Sequence, residues 1–328
     1  MISRDFFVVM HKIFITGGAG FIGSSFIRLA LAADSKLHIT NLDALTYAGS
    51  MDNLKGLDES RHRFVHADIT DRAAVFDALE EDTSALINFA AESHVDRSIV
   101  SADAFIRTNV LGTQALLDAA RERGVSRFMQ ISTDEVMGSL TEDREELFTE
   151  SSPLAPNNPY AASKAAAEHL VHAAHHTHGL STVITRSGNN YGPRQFPEKL
   201  IPLMISNALK DRPVPLYGDG RQVRDWIYVE DHCRALLSLL EHGRSGRVYN
   251  IGARNQRRNI DVAKRVLDLL GKPHSLIRHV EDRPGHDRRY AIDPSRVERE
   301  TGWRPKVSWE SGLRKTVEWY VEARGLEA

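Results

Sequence analysis

The chain has 328 residues, enough for one large or two moderate domains, with 42 lysines and arginines against 44 aspartates and glutamates. The net charge of −2 argues against a nucleic-acid partner, because proteins that bind nucleic acid usually carry a basic excess. The single cysteine, Cys233, excludes an internal disulfide framework and a cysteine-based zinc site, and it fits a reducing compartment.

The first half of the chain alternates short apolar runs with helical stretches, which is typical of a doubly wound parallel sheet. We interpret residues 1–11 as an extension ahead of the first strand, with Met10 as an alternative start. The predicted strands cover 12–16, 38–42, 64–66, 85–89, 128–131 and 183–185, and the predicted helices cover 21–31, 109–122 and 160–178. No stretch reaches the roughly 20 apolar residues of a membrane span, so we expect a soluble cytoplasmic protein.

From Gly188 the pattern changes to a looser α/β mixture, and 226–229 is predicted to be a strand that returns to the first domain. The fold class expected is therefore α/β, a Rossmann-type doubly wound parallel sheet with a smaller C-terminal α/β substrate domain. The sheet domain would span 12–187 with a returning segment near 224–255. The substrate domain would then comprise 188–223 and 256–328.

A glycine-rich turn, Gly17-Gly18-Ala19-Gly20-Phe21-Ile22-Gly23, joins the first predicted strand to the first helix. Glycines permit the tight turn and let backbone amides approach a pyrophosphate at the helix N-terminus. Asp43 ends the second strand, 20 residues after Gly23, where its carboxylate would accept the ribose hydroxyls and repel a 2′-phosphate. The pattern favours NAD over NADP, although glycine turns also occur for purely structural reasons.

Two acids, Asp134 and Glu135, directly follow Ser132-Thr133 at the end of the fifth strand. Tyr160 and Lys164 lie four residues apart on a predicted helix, so they share one face. A lysine beside a phenol is expected to lower the phenol pKa, which makes Tyr160 a base for oxidation of a hydroxyl that Thr133 hydrogen-bonds. An acid and a base beside this pair indicate a second reaction, an elimination. The alternative is an acidic pair that only stabilises a helix dipole.

These residues resemble the extended short-chain dehydrogenase/reductases that act on nucleotide sugars. Thr16 to Gly23, Tyr160-x-x-x-Lys164 and Asn189-Asn190-Tyr191-Gly192-Pro193 carry the resemblance. Within that superfamily the chain is most similar to the nucleotide-sugar 4,6-dehydratases, through the segments 90–98, 132–136, 196–202 and 282–290. The likeness runs from about residue 12 to 321. The chain departs from the family pattern in two places, with Met137 in place of tyrosine and Ser187-Gly188 in place of a Cys-Ser pair.

The resemblance implies an NAD site, a nucleotide-sugar site and five catalytic residues, Thr133, Asp134, Glu135, Tyr160 and Lys164. The NAD contacts implied are Gly17, Gly20, Phe21, Ile22, Gly23, Asp43, Ala44, Leu45, Thr46, Asp68, Ile69, Phe89, Ala90, Ala91, Ser93, Thr108, Tyr160, Lys164 and Asn190. The sugar-nucleotide contacts implied are Ser93, Thr133, Asn189, Lys199, Leu200, Pro215, Leu216, Tyr217, Arg224, Asn259, Asp282, Arg283, Pro284, Gly285 and His286. Lys199, Arg224 and Arg283 are cations suited to a diphosphate.

The activity implied is a lyase that removes water from dTDP-glucose, by oxidation at carbon 4, elimination across carbons 5 and 6, and hydride return. The alternatives are a dehydratase of UDP-glucose, a related epimerase or decarboxylase, or a non-catalytic NAD-binding protein on the same fold. The Ala- and Leu-rich faces of 109–122 and 160–178 favour a homodimer.

Two further patterns are interpreted without a ligand. His172, His175, His176 and His178 have spacings that suit a metal, but histidines at a helix C-terminus also complement its dipole, and no metal is predicted. The basic run 254–258 has no interleaved aromatic residues and is interpreted as a solvated loop.

Overall fold

The computed structural model describes residues 11–141 and 145–325, with side chains up to 323, so residues 1–10 of the expected extension lie outside it. The strands are β1 (Lys12–Thr16), β2 (His38–Asp43), β3 (His62–His66), β4 (Ala85–Asn88), β5 (Arg127–Thr133), β6 (Thr182–Ser187), β7 (Asn189–Tyr191), β8 (Val214–Tyr217), β9 (Val223–Tyr228), β10 (Arg247–Ile251), β11 (Gln256–Arg258) and β12 (Ile277–Val280). The α-helices are α1 (Phe21–Ala33), α2 (Arg72–Ala78), α3 (Val95–Val100), α4 (Asp103–Phe105), α5 (Thr113–Glu122), α6 (Pro159–His178), α7 (Leu200–Leu209), α8 (Val229–His242), α9 (Asn259–Leu269), α10 (Ser295–Thr301) and α11 (Trp309–Gly325).

Within the described residues, seven parallel strands form the main sheet in the order β3-β2-β1-β4-β5-β6-β10. Helices α1, α8 and α10 bury apolar side chains on one face, including Phe26, Leu236 and Val297. Helices α2, α5 and α6 cover the other face. The doubly wound architecture predicted from the alternating pattern is confirmed, and it places the carboxyl ends of the strands at one edge.

The second lobe is built around its own apolar core. Strand β9 pairs in parallel with β7 and antiparallel with β11, and β8 pairs with β12. The strand predicted at 226–229 is present at the end of β9, but it pairs within this small sheet; the strand of the predicted returning segment 224–255 that joins the main sheet is β10. The alternation along β9 explains the ambiguity, because Ile227 packs into the core of the main sheet while Trp226 and Tyr228 pack into that of the second lobe.

Helix α6 matches its predicted range to within one residue because both of its ends have strong local signals. The Asn158 side chain accepts a hydrogen bond from the Ala161 amide at 2.9 Å, and Pro159 occupies the first turn. Gly179 ends the helix with φ of +69°, a left-handed conformation that glycine adopts without strain. The predicted helix 109–122 is different, because a π-helical segment, Ile106–Gly112, precedes α5.

Candidate active site

The glycine turn lies where β1 ends and α1 begins, and its packing leaves no room for side chains at two positions. A Cβ on Gly17, which has φ of +70°, would lie 2.6 Å from the Ala90 nitrogen. A Cβ on Gly23 would lie 2.3 Å from the Gly17 carbonyl oxygen. These close approaches hold the first turn of α1 against the strand ends, the arrangement in which a helix N-terminus receives a phosphate.

A cleft of about 330 Å³ opens beside this turn, at the carboxyl edge of the main sheet. The structure brings the predicted cofactor residues together here: all of them line the cleft except Leu45. Leu45 adopts φ of +48° and donates its amide hydrogen to Asp43. The lining residues that were not predicted are Leu42, Ala48, Gly49, Ala67, Glu92, Ile131, Ser132, Ser187, Gly188, Gln195 and Phe196. They come from strand ends and loops that the fold brings together, and although Glu92, Ser132 and Phe196 lie in segments that carry the resemblance, they were not singled out there.

Asp43 lines the cleft with a carboxylate that is fixed by the backbone around it. One oxygen accepts from the Ala19 amide and the other from the Leu45 amide, each at 2.8 Å. Burial raises the pKa of Asp43, while both amide hydrogen bonds oppose that shift. The side chain therefore presents its remaining lone pairs in one orientation, as a group that accepts ribose hydroxyls must.

The acidic pair follows directly from the end of β5, in a short 3₁₀ helix, Asp134–Met137. Thr133 orders it, because its hydroxyl donates to Asp134 Oδ1 and accepts from the Glu135 amide, each at 3.3 Å. Asp134 is only 2% exposed, and Asp134 Oδ2 has no partner among the described residues. Glu135 instead lines the cleft.

The two carboxyls lie in different electrostatic surroundings. Burial, and then the charge of Glu135, raises the pKa of Asp134 well above its ordinary value. Burial also raises the pKa of Glu135, but Arg283 and Arg224 oppose it first. Neighbouring carboxyls whose environments separate their pKa values suit an acid and a base, with Asp134 as the protonated partner.

Tyr160 and Lys164 both line the cleft from α6, as the four-residue spacing predicted. The prediction that Lys164 lowers the phenol pKa was wrong for the protein alone. Burial, and next the charge of Glu135, raises the pKa of Tyr160, and Thr133 opposes this. The Lys164 ammonium donates to the Ile131 carbonyl at 2.6 Å, and burial lowers the Lys164 pKa to about 8.

The predicted sugar-nucleotide residues fall into two groups. Ser93, Thr133, Asn189 and Lys199 line the cleft, and the Lys199 ammonium donates to the Ser93 carbonyl at 3.0 Å. The others are contributed by the second lobe outside this lining: Leu200, Pro215, Leu216, Tyr217, Arg224, Asn259, Asp282, Arg283, Pro284, Gly285 and His286. Leu216 packs its side chain into the apolar core at 1% exposure, so only its backbone is available to a ligand.

The cations of the second group are already engaged with protein. Arg224 is buried, donates to the Val223 and Asp287 carbonyls, and stacks 4.3 Å over the Tyr290 ring. Arg283 donates to Asp96 at 3.1 Å and leaves its Nε without a partner in the described part of the chain. Asn259 likewise has a buried Oδ1 with no described partner.

Three residues near Glu135 were not among the predicted site residues. Asn158 Nδ2 lies 3.4 Å from Glu135 Oε2, and the Tyr290 hydroxyl lies 3.5 Å from the same oxygen. Asp287 accepts a short hydrogen bond from Tyr290. Asp287 and Tyr290 lie more than 150 residues from Glu135, and no spacing in the sequence signals this contact.

The two departures from the family pattern have local explanations. Met137 is buried in a small apolar cluster with Leu140, Phe148 and Tyr290. A Cβ on Gly188 would lie 2.6 Å from the Asp225 carbonyl oxygen, so this close approach of β9 requires glycine. Ser187 accepts a hydrogen bond from the Asn190 side chain at 3.2 Å.

The histidines at the end of α6 make local contacts. His175 Nδ1 lies 2.9 Å from the Leu180 carbonyl, and His178 lies 3.4 Å from Arg121. Over residues 11–141 and 145–325 no group of three or more His, Cys, Asp or Glu residues has a geometry that suits a metal ion. In the same part of the chain, no helix is long and apolar enough to cross a membrane. In the basic run, Arg254 pairs with Glu298, and 256–258 forms β11.

Comparison with known proteins matches residues 14–316 to the family model described as GDP-mannose 4,6 dehydratase. The chain is 51% identical to the dTDP-glucose 4,6-dehydratase of Xanthomonas campestris pv. campestris (strain B100), an alignment that covers 94% of this chain and 92% of that protein.

Solved structures agree with this match. The crystal structure of DesIV, a dTDP-glucose 4,6-dehydratase from Streptomyces venezuelae with NAD and TYD bound, has a TM-score of 0.93 and 49% identity, covering 96% of this chain and 98% of that one. The UDP-glucose 4-epimerase of Thermus thermophilus in complex with NAD has a TM-score of 0.88 and 33% identity, covering 95% and 99%. The similarity in sequence is therefore greater to the dehydratases than to this epimerase.

Proposed function

Because this chain belongs to the GDP-mannose 4,6-dehydratase family of nucleotide-sugar short-chain dehydrogenase/reductases, we propose that it is an NAD-dependent dTDP-glucose 4,6-dehydratase. The reaction is the loss of one water from dTDP-glucose to give dTDP-4-keto-6-deoxyglucose. The observation that carries this proposal is a pair of carboxyls at a dinucleotide cleft: Glu135 lines the cleft with Thr133 and Tyr160, and Asp134 is hydrogen-bonded to Thr133 directly behind it in sequence.

The cleft fits NAD by its own geometry. The tight glycine turn brings the N-terminus of α1 to the cleft, and Asp43 offers a fixed carboxylate in the same cleft. Gly17, Gly20 and Gly23 would hold the pyrophosphate, and Asp43 the adenosine ribose. When bound, NAD supplies the acceptor that takes a hydride and later returns it.

Each catalytic residue moves or positions a proton at a stated atom. Tyr160 takes the proton of the carbon-4 hydroxyl, which Thr133 hydrogen-bonds. The carbon-4 ketone acidifies the proton on carbon 5, which Glu135 removes. Asp134, whose raised pKa favours its protonated form, protonates the departing carbon-6 hydroxyl. Lys164 provides a buried positive charge below Tyr160 on the same helix face.

The second lobe supports the choice of a sugar nucleotide. Lys199, Arg224 and Arg283 are assigned to the diphosphate, and the described geometry places the last two where they also act on the charge of Glu135. The cytoplasmic location expected from the sequence stays a prediction.

The proposal is tested with purified protein and a panel of dTDP-glucose, UDP-glucose and GDP-mannose. We expect mass spectrometry to show that dTDP-glucose loses the mass of one water. NAD should not be consumed, whereas a net oxidation would consume about 1 molecule of NAD per turnover. In deuterated water, the product should carry solvent deuterium at carbon 5. Faster turnover of UDP-glucose would favour the alternative base, and epimerised product without water loss would contradict the proposal.

We also propose that the protein is a homodimer formed through α3, the Ile106–Gly112 segment and the faces of α5 and α6. Four large apolar side chains are exposed close together in sequence here, Ile99, Val100, Ile106 and Leu111, with Val100 88% and Leu111 57% exposed. Clustered exposed apolar surface of this kind is typical of a contact with another molecule. Pairing of this surface with itself would bury all four in a symmetric interface.

A further inference from the structure

One buried side chain, Asn158, contacts both parts of the catalytic machinery. Its Oδ1 accepts from the Ala161 amide at 2.9 Å and so caps α6, the helix that carries Tyr160 and Lys164. Its Nδ2 lies 3.4 Å from Glu135 Oε2. The two ends of a single amide therefore link the helix of the oxidation step to the carboxylate of the elimination step.

The second polar group near Glu135, the Tyr290 hydroxyl, donates its hydrogen to another residue. Tyr290 lies 3.5 Å from Glu135 Oε2, but it has one hydrogen and its much closer partner is Asp287. Among the residues that the structure describes, Asn158 is therefore the side chain that has a hydrogen to donate to Glu135. Catalytic hydrogen bonds are often long before substrate binds, which fits the 3.4 Å distance.

We propose that Asn158 is a positioning residue that holds Glu135 as a carboxylate, oriented with respect to Tyr160, and that caps α6 with the same side chain. This inference rests on the proposed role of Glu135 as the base. The neighbouring Asn157 extends the link, since its Nδ2 donates to Asp287 Oδ1 at 2.5 Å. The asparagine pair thus joins the start of α6 to Glu135 and to the second-lobe segment around Asp287.

The electrostatics of Glu135 give the expected direction of change. Burial raises its pKa most, and the hydrogen bond from Asn158 lowers it. Loss of that donor should raise the Glu135 pKa further, so the carboxylate form would be present only at higher pH. The titratable and charged groups that face Glu135 from the surrounding elements are Asp134, Tyr160, Lys199, Arg224, Arg283, Asp287 and Tyr290.

Three substitutions separate the two functions of Asn158. Asn158→Ser keeps an acceptor for the cap but has no amide donor, so it tests the contact to Glu135 alone. Asn158→Asp keeps the cap and places a second carboxylate beside Glu135. Asn158→Ala removes both functions, and the difference in stability between Asn158→Ala and Asn158→Ser reports the contribution of the cap.

The measurements are the melting temperature, NAD affinity, the pH dependence of carbon-5 proton exchange, and the Glu135 pKa. The last is read by ¹³C NMR of glutamate labelled at Cδ, with Glu135 assigned by the signal missing in Glu135→Gln. For Asn158→Ser we expect near-wild-type stability and NAD affinity, a Glu135 pKa about 1 unit higher, and exchange slower by up to about tenfold at pH values below the Glu135 pKa. Asn158→Asp should shift the pKa further in the same direction.

An unchanged Glu135 pKa and pH profile in Asn158→Ser would overturn the inference. So would a uniform loss of activity at every pH that follows stability alone across the series. The NMR measurement needs no turnover, so the inference is decided even if the wild-type protein does not dehydrate dTDP-glucose. A wild-type protein that does not dehydrate dTDP-glucose would count against the proposed function and not against the role of Asn158.

Discussion

At the scale of single residues, the same burial acts differently on each ionisable group of the cleft. It makes Asp134 harder to ionise than Glu135, because the arginines oppose the shift at Glu135 before any other group. Two adjacent carboxyls can thus act as an acid and a base because the protein side chains around them separate their pKa values. Their separation depends on side chains of the second lobe, which supplies both arginines.

The division of labour between the carboxyls and Tyr160 can be tested by isolating the half-reactions. Glu135→Gln and Asp134→Asn should retain NAD binding and oxidation at carbon 4, and slow water loss by about 100-fold or more, the usual contribution of one acid or base. Tyr160→Phe should block the oxidation itself. Rapid-quench mass spectrometry, combined with the near-ultraviolet absorbance of reduced nicotinamide, follows both steps. Water loss at the wild-type rate in Glu135→Gln would show that another group is the base.

The buried ammonium of Lys164 is expected to destabilise the folded protein although oxidation requires it. Its pKa falls to about 8 by burial, so at neutral pH the folded protein carries a buried ammonium. Between about pH 8, the Lys164 pKa in the folded protein, and 10.5, its pKa in the unfolded chain, the unfolded chain binds more protons than the folded protein. The free energy of unfolding therefore rises with pH in this range, and below about pH 8 the full destabilisation by the buried ammonium is present. Lys164→Met should therefore gain about 1–2 kcal/mol in urea unfolding at about pH 7, a gain that shrinks toward about pH 10, while oxidation is lost. A less stable variant at neutral pH would contradict this.

Some site residues could be predicted from sequence because their patterns span only a few neighbouring residues, whereas others depend on contacts between distant segments. Gly17, Asp43, Tyr160 and Lys164 follow from spacing within one strand–turn–helix unit or one helix face. The contact of Tyr290 with Glu135 and the raised Tyr160 pKa depend on how distant segments pack, which no spacing records.

At the scale of elements, capped helices were predictable and the π-helical segment was not. Caps such as Asn158 and Gly179 are local, so α6 could be predicted from sequence. The segment Ile106–Gly112 is set by tertiary contacts, since Asn109 bonds both the amide and the carbonyl of Glu92 and also Ser163. Strand β9 likewise has a clear strand pattern, but its pairing partner depends on the lobe that each face packs against.

The π-helical segment packs against Ile69, one of the residues predicted to contact NAD, and this contact gives a prediction at Gly112. A Cβ there would lie 2.4 Å from Ile69 Cδ1, and Ile69 lines the cleft. Gly112→Ala should push Ile69 into the cleft and weaken NAD binding by about tenfold in calorimetry, within the usual cost of overpacking. Adding Ile69→Ala, which removes both Cδ1 and the Cγ1 atom that would lie 2.6 Å from the new Cβ, should restore affinity to that of Ile69→Ala alone. Ile69→Ala alone is therefore the control, and failure of the double variant to reach its affinity would assign the effect to the backbone of the helix instead.

At the scale of the whole molecule, the two lobes divide the reaction between them. The main sheet supplies Asp43 and Thr133, and α6 on its face supplies Tyr160, while the second lobe supplies the arginines that act on Glu135. The strand β10 and helix α8 return the chain to the main sheet after β9, so the second lobe is connected through more than one crossing. Ile227 of β9 also packs into the core of the main sheet, so the lobe that supplies the arginines is joined to the sheet by packing as well as by the chain.

The proposed dimer is the prediction that involves the largest surface. Leu111→Lys, at a side chain that is 57% exposed among other apolar ones, should place a charge in the interface and shift the protein toward monomer in light scattering. Val321→Lys is the matched control, since Val321 is 44% exposed on α11, outside the proposed interface, and should leave the mass unchanged. Burying a lysine charge without a partner costs several kcal/mol, so dissociation at micromolar protein should be complete or nearly so. Because the proposed interface includes α6, which carries Tyr160 and Lys164, the monomer should also melt at a lower temperature and lose activity in proportion. A wild-type protein that is monomeric at micromolar concentration, or a Leu111→Lys variant that keeps the dimer mass, would move the interface elsewhere.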